Sequence, residues 1–113
     1  MNNIFQMKKI LENSHSGVGH LHKVRVFDSS DFDTNLDFID YVEIPEGVTI
    51  GIHKHTENEE IYFIFEGNGI MTVENKEVGV KKGDIMVNPV FGTHGLRNNT
   101  SAILKVLIFQ VSL

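Results

Sequence analysis

The stretch Gly47-Val48-Thr49-Ile50-Gly51-Ile52-His53-Lys54-His55-Thr56-Glu57-Asn58-Glu59-Glu60-Ile61-Tyr62-Phe63-Ile64-Phe65-Glu66-Gly67 decides how this chain is read. Thr49–His53 and Glu60–Glu66 are short, rich in Ile and Phe, and separated by the polar turn Thr56-Glu57-Asn58-Glu59, which is the pattern of two strands. His53 and His55 are two apart, so on a strand both imidazoles leave the same face. If the two strands pair, Glu60 returns a carboxylate beside them and shares its own face with Tyr62 and Ile64. Two nitrogens and an oxygen then converge.

Upstream, Leu36, Phe38, Asp40, Val42 and Ile44 alternate with Asp37, Ile39, Tyr41 and Glu43, as a half-buried strand requires. Downstream, turn chemistry recurs at Gly67-Asn68-Gly69, Glu74-Asn75-Lys76, Lys82-Gly83-Asp84 and Asn98-Asn99-Thr100. The runs between them, Ile70–Glu74, Glu77–Val80, Ile85–Asn88, His94–Asn98 and Ala102–Val111, read as further strands. Short strands this closely spaced predict an all-β sandwich or barrel of the jelly-roll kind. His94, arriving after the break at Pro89 and Gly92, is a candidate fourth ligand. Three imidazoles and a carboxylate with no thiolate favour Mn, Fe, Co, Ni, Cu or Zn over Ca or Mg.

The remaining composition narrows the partners. A chain of 113 residues with 41% hydrophobic content supports one core and one domain, 1–113. Ten Lys+Arg against fifteen Asp+Glu give a net charge of -5, the wrong sign for neutralising nucleic-acid phosphates or anionic lipid. No apolar run has the length of a signal peptide or a membrane span, so a cytoplasmic location is expected. With no cysteine there is no disulfide framework and no thiol nucleophile.

These residues resemble the two motifs of the cupin superfamily. The first, Gly-x5-His-x-His-x4-Glu-x6-Gly, spans 47–67 with Gly47, His53, His55, Glu60 and Gly67 in place. The second, Gly-x5-Pro-x-Gly-x2-His-x3-Asn, spans 83–98 with Gly83, Pro89, His94 and Asn98. One position departs: Phe91 stands where the motif has glycine, and Gly92 follows it. Glu59 is a rival carboxylate, but only Glu60 keeps six residues before Gly67. The resemblance implies a small single-domain cupin, a double-stranded β-helix or jelly-roll barrel, with one divalent metal on His53, His55, Glu60 and His94 and open positions for water or substrate. It does not select a reaction.

Tyr62, Asn88 and Arg97 are candidate polar groups of the pocket, and Arg97 could meet an anionic substrate. Gly47, Gly67, Gly83, Gly92, Pro89 and Asn98 read as scaffold. His15, His20 and His22 lie in an N-terminal arm or loop, residues 1–23, and read as solvated rather than as a second metal site or as groups reaching into the pocket. Residues 1–13 fit either a short helix or an edge strand. The functional expectation is a metal-dependent enzyme acting on a small polar metabolite (a sugar, keto acid or diol) as an isomerase, lyase or dioxygenase. The alternative is a non-catalytic binding or sensing module with the same pocket. Unpaired sheet edges, with Ile4–Leu11 and Ala102–Val111 as contributors, predict a homodimer.

Overall fold

The structure is a computed structural model that describes all 113 residues. Ten strands follow in order: β1 (Ile10–Glu12), β2 (Leu21–Asp28), β3 (Leu36–Ile44), β4 (Thr49–Lys54), β5 (Asn58–Glu66), β6 (Asn68–Val73), β7 (Lys76–Lys81), β8 (Ile85–Asn88), β9 (Thr93–Arg97) and β10 (Leu104–Ser112). Two antiparallel sheets face each other. The larger has the order β1-β2-β3-β10-β5-β8 and the smaller β4-β9-β6-β7. The expected all-β barrel is therefore present, and no helix is long and apolar enough to cross a membrane.

Register explains which residues make the core. On the larger sheet Ile44, Val42 and Asp40 lie opposite Leu104, Val106 and Ile108, and β10 sets Val106 and Ile108 against Ile64 and Tyr62 of β5. Those positions point inward and, Asp40 apart, join Ile50, Met71, Val80 and Leu96 of the smaller sheet in one buried cluster. Each such side chain contributes about 1.5–3 kcal/mol by leaving water, so burial of this cluster is the main force holding the barrel. The alternation read in Leu36–Ile44 is correct in phase: Phe38, Val42 and Ile44 meet the inner cluster, and Tyr41 and Ile39 belong to an outer one.

The N-terminal region differs from the arm or loop expected. Ile10–Glu12 pairs with β2, and Leu21 at the start of β2 is buried, so residues within 1–23 complete the larger sheet. Ile4 and Met7, beside a single 3₁₀ turn at Ile4–Gln6, pack on the outer face against Val24, Val26 and Tyr41. Neither a helix nor an edge strand alone describes them. The departure at Phe91 is resolved simply: it adopts φ +59, the left-handed conformation that the motif's glycine would take, at a cost of about 1–2 kcal/mol. Gly92 follows because a Cβ there would come within 2.9 Å of the Pro89 carbonyl oxygen. Asn98 is scaffold as read: its amide donates to the Ile44 and Ala102 carbonyls, and its oxygen accepts from Thr100.

Candidate metal centre

His53, His55, Glu60 and His94 converge where the two sheets meet. Their potential ligand atoms all lie within 4.8 Å of one another, and no other such cluster occurs in the chain. His53 on β4 pairs directly with His94 on β9. His55 follows the last residue of β4, where its N–H donates to the Gly92 carbonyl. Glu60 faces inward from β5, opposite Asn88 on one side and Gln110 on the other. Glu59 pairs instead at the level of Val111, on the other face.

A feature of β4 that the sequence does not announce turns His53 inward. Ile50 is buried, and simple alternation would bury Ile52 and expose His53. The pairing with β9 is irregular between Ile50 and His53, so the phase flips: Ile52 is 61% exposed and His53 reaches the cluster.

The protonation pattern suits a cation. His53 Nδ1 donates to the Gly51 carbonyl at 2.7 Å and His55 Nδ1 to Asn58 Oδ1 at 2.5 Å. In a neutral ring each Nε2 is then a bare lone pair. Yet His55 Nε2 lies 2.7 Å from both His94 Nε2 and Glu60 Oε1, and His53 Nε2 lies 3.6 Å from the same oxygen. The short approach to Glu60 lacks hydrogen-bond alignment, and His53 Nε2 and Glu60 Oε1 are buried without a hydrogen-bond partner. His94 Nε2–H can donate to His55 Nε2, but His53 Nε2 and Glu60 Oε1 are left without a partner, and a positive charge among them would satisfy both. Nitrogen and oxygen donors of this kind fit a borderline divalent metal. The bonds at the Nδ1 atoms are those that orient ligating imidazoles.

Burial pushes the Glu60 carboxyl up, but the imidazoles of His53, His94 and His55 outweigh it and hold the group at about 2. It stays a carboxylate whenever those rings share a proton or a cation with it. Burial lowers the pKa of His94, with Glu60 opposing, and so favours its neutral, coordinating form.

The remaining site residues divide. Tyr62 lies edge-on to His94, with centroids 5.2 Å apart, and lines the cavity beside the cluster. Asn88 is buried at the level of Glu60, with its Nδ2 unpartnered. Arg97 lies away from the cavity, on the outer side of β9, where its guanidinium pairs with Glu77. The early histidines do not converge. His20 is exposed, and His22 lies on β2 opposite Glu43, on the same outer face as Val24 and Tyr41. His15 stays in an exposed turn, yet its ring stacks on His53 at 3.5 Å between centroids and lines the cavity.

That cavity, about 250 Å³, has a charged wall that the sequence reading did not single out. Arg25 on β2 donates from Nε and Nη2 to the two carboxylate oxygens of Asp40, at 2.6 and 3.1 Å, and lies 4.3 Å above the Phe38 ring. Lys23 pairs with Glu12 at 2.5 Å. A signal did exist: Asp40 is the one charge among the inward positions of β3. With Gln110 opposite Glu60, these groups share the cavity with His55 and Glu60.

A β-barrel with three histidines and a glutamate at the junction of its sheets defines a class, that of the jelly rolls with a candidate metal site. The chain belongs to the cupin family: the Cupin_2 family, described as a cupin domain, matches residues 40–109. The oxalate-binding protein of Thermotoga maritima is 25% identical over 97 residues, covering 86% of this chain and 80% of that protein. The protein MJ1618 of Methanocaldococcus jannaschii is 42% identical over 64 residues, a match spanning 57% of this chain and only 51% of that relative. Among solved structures, that of a predicted oxalate decarboxylase from Thermotoga maritima superposes with a TM-score of 0.96 at 22% identity, covering 100% of this chain and 99% of the other. The polyketide cyclase RemF of Streptomyces resistomycificus reaches 0.82 at 15% identity, covering 98% and 79%.

Proposed function

We propose that this cupin holds one divalent transition metal on His53, His55, Glu60 and His94 and binds a small carboxylate on the ion's open positions, with Arg25 and Lys23 receiving its far end. The carrying observation is the charged wall that shares a cavity of about 250 Å³ with His55 and Glu60, room for a few heavy atoms rather than a sugar chain. Arg25 spends two of its five N–H donors on Asp40, so the rest can meet an anion. A metal there acts as a Lewis acid on a bound oxygen. The named binding activity of the Thermotoga maritima relative makes oxalate the first compound to test.

Binding is favoured over turnover because the wall's carboxylates, Glu12 and Asp40, are both engaged in ion pairs. The enzymatic reading rests on the open metal positions alone. Calorimetry on protein loaded with Mn²⁺ should show oxalate binding, with pyruvate and glycolate weaker and no binding without metal. Glu59→Gln should behave as wild type, whereas Glu60→Gln should weaken the metal itself. Metal-loaded protein that binds no carboxylate would sink the ligand assignment, and release of CO₂ or loss of oxalate would decide for an enzyme.

The chain also forms a homodimer through the outer face of the larger sheet. Two rows of apolar side chains run across it: Tyr41, Leu107, Phe63 and Ile85 in one, Ile39, Phe109, Ile61 and Val87 in the other. The N-terminal segment covers only the Tyr41 end, and Ile85 and Val87 remain 67% and 59% exposed. A continuous apolar surface of this kind marks an interface, and a twofold-related copy supplies a matching one. Light scattering should give twice the chain mass, and Phe63→Asp should give the monomer. A monomeric wild type at micromolar concentration would count against the assignment.

A further inference from the structure

We infer that His15 is a positioning residue of the metal centre, and that the strap Asn13–Gly19 exists to hold His53 in its coordinating orientation. The inference rests on the metal reading above.

β4 is the edge strand of the smaller sheet, and β9 grips it poorly where the grip matters most. Their pairing is irregular between Ile50 and His53, so β9 does not secure Gly51 and Ile52 in a regular ladder. The strap does so from the other side. Ser14 bridges Ile50 in parallel, Gly51 N–H donates to the Ser14 carbonyl at 3.0 Å, and Thr49 N–H donates to the Val18 carbonyl at 3.0 Å. Val18 N–H in turn donates to Thr49 Oγ1 at 2.8 Å. The strap is braced internally by Asn13 Nδ2, which donates to the carbonyls of Gly17 and Gly19.

Gly51 is the pivot. Its N–H is held by the strap, and its carbonyl accepts the Nδ1–H of His53, which leaves Nε2 as the coordinating atom. A Cβ at this position would run into the His15 carbonyl oxygen, so the strap can lie this close only over glycine. The strap then turns sharply: His15 and Ser16 both take positive φ, +50 and +56. Non-glycine residues in that region are strained, and strain of this kind persists where the surrounding structure enforces it. Here it delivers the His15 ring onto the His53 ring, 3.5 Å between centroids and within 6° of parallel. His53 is the donor that needs such support. Its side chain is 12% exposed, against 1% for His94 and 7% for His55 and Glu60, and it stands on an edge strand.

The experiment compares His15→Ala with His15→Phe in the full chain, reading Co²⁺ affinity by calorimetry, the visible absorption of the Co²⁺ form, and apo-protein melting. Losing the support of a ligating imidazole typically weakens metal binding about 10–100-fold. His15→Ala should fall at the lower end of that range, alter the Co²⁺ spectrum, and leave apo melting unchanged, because alanine keeps the same strained backbone. His15→Phe, which stacks but offers no nitrogen, should restore both affinity and spectrum. Wild-type affinity in His15→Ala would overturn the inference. So would a His15→Phe variant as weak as His15→Ala, since the ring nitrogen and not the stack would then be what counts. Failure of the wild type to bind Co²⁺ at all would instead overturn the metal reading beneath it.

Discussion

Replacing His94 with alanine is expected to abolish the metal-dependent part of this protein's stability while sparing the apo fold. A metal that binds only the folded state stabilises it by RT ln(1 + [L]/Kd), about 4 kcal/mol at a thousandfold excess over Kd. For a chain of 113 residues that is a rise in Tm on the order of 15 °C. His94 is the most deeply buried of the four donors and sits opposite His53, so its loss takes away the side of the cluster supplied by β9. Its Nδ1 has no hydrogen-bond partner, so the variant forfeits no protein hydrogen bond through that atom. His94 is itself fully buried beside Tyr62, so the apo variant loses some packing, but the apolar cluster around Ile44, Ile64 and Leu104 stays intact. Differential scanning with and without Mn²⁺ checks this, and a full metal-dependent shift in His94→Ala would remove His94 from the ligand set.

Acid should mimic the variant. Because burial lowers the pKa of His94, the unfolded chain takes up that proton first as pH falls below about 6.5. The folded state therefore loses stability from there downward, through the lowered folded value. Coordination needs the neutral ring, so the increment from the metal should be gone by about pH 5.

Arg25→Met should be the most damaging single change in the cavity wall, costing about 2–3 kcal/mol and reshaping the pH profile. Removing one partner of a buried ion pair typically costs about 3–5 kcal/mol, because the other charge is left without compensation. Asp40 is 7% exposed at its side chain and both its oxygens are bonded to Arg25, whereas Arg25 is 43% exposed, which moves the expectation below that range. Burial already raises the Asp40 pKa, with Arg25 the main opposing influence. Without the guanidinium it rises further. A carboxyl raised in the folded state contributes stability below its unfolded pKa and loses it as pH rises through the folded value. The deficit of the variant relative to wild type should therefore be smallest near about pH 4 and grow toward neutrality, on top of the acid loss that both share. Arg25→Met with Asp40→Asn should recover most of the stability but not the carboxylate binding, while metal affinity persists in both. Melting curves for Arg25→Met that match the wild type between about pH 4 and 8 would contradict this account.

The class of fold, the phase of β3 and the gathering of four candidate donors are all written in the local pattern of the chain. Leu36–Ile44 repeats with period two because one face is buried, and that period is written locally. The spacing from Gly47 to Gly67 and from Gly83 to Asn98 is local too, being set by turn lengths. So the gathering of His53, His55, Glu60 and His94 was legible before any coordinates. Tertiary structure decided what depends on partners distant in the chain. The irregular pairing of β4 with β9 turned His53 inward against the alternation started by Ile50. The strap from residues 13–19 brought His15 onto it, and β2 placed Arg25 and Lys23 across the cavity while Arg97 went to the outside. A strand's own residues record that one of its faces is buried. Which residue faces which, once a bulge shifts the register, is fixed only by the neighbour it pairs with.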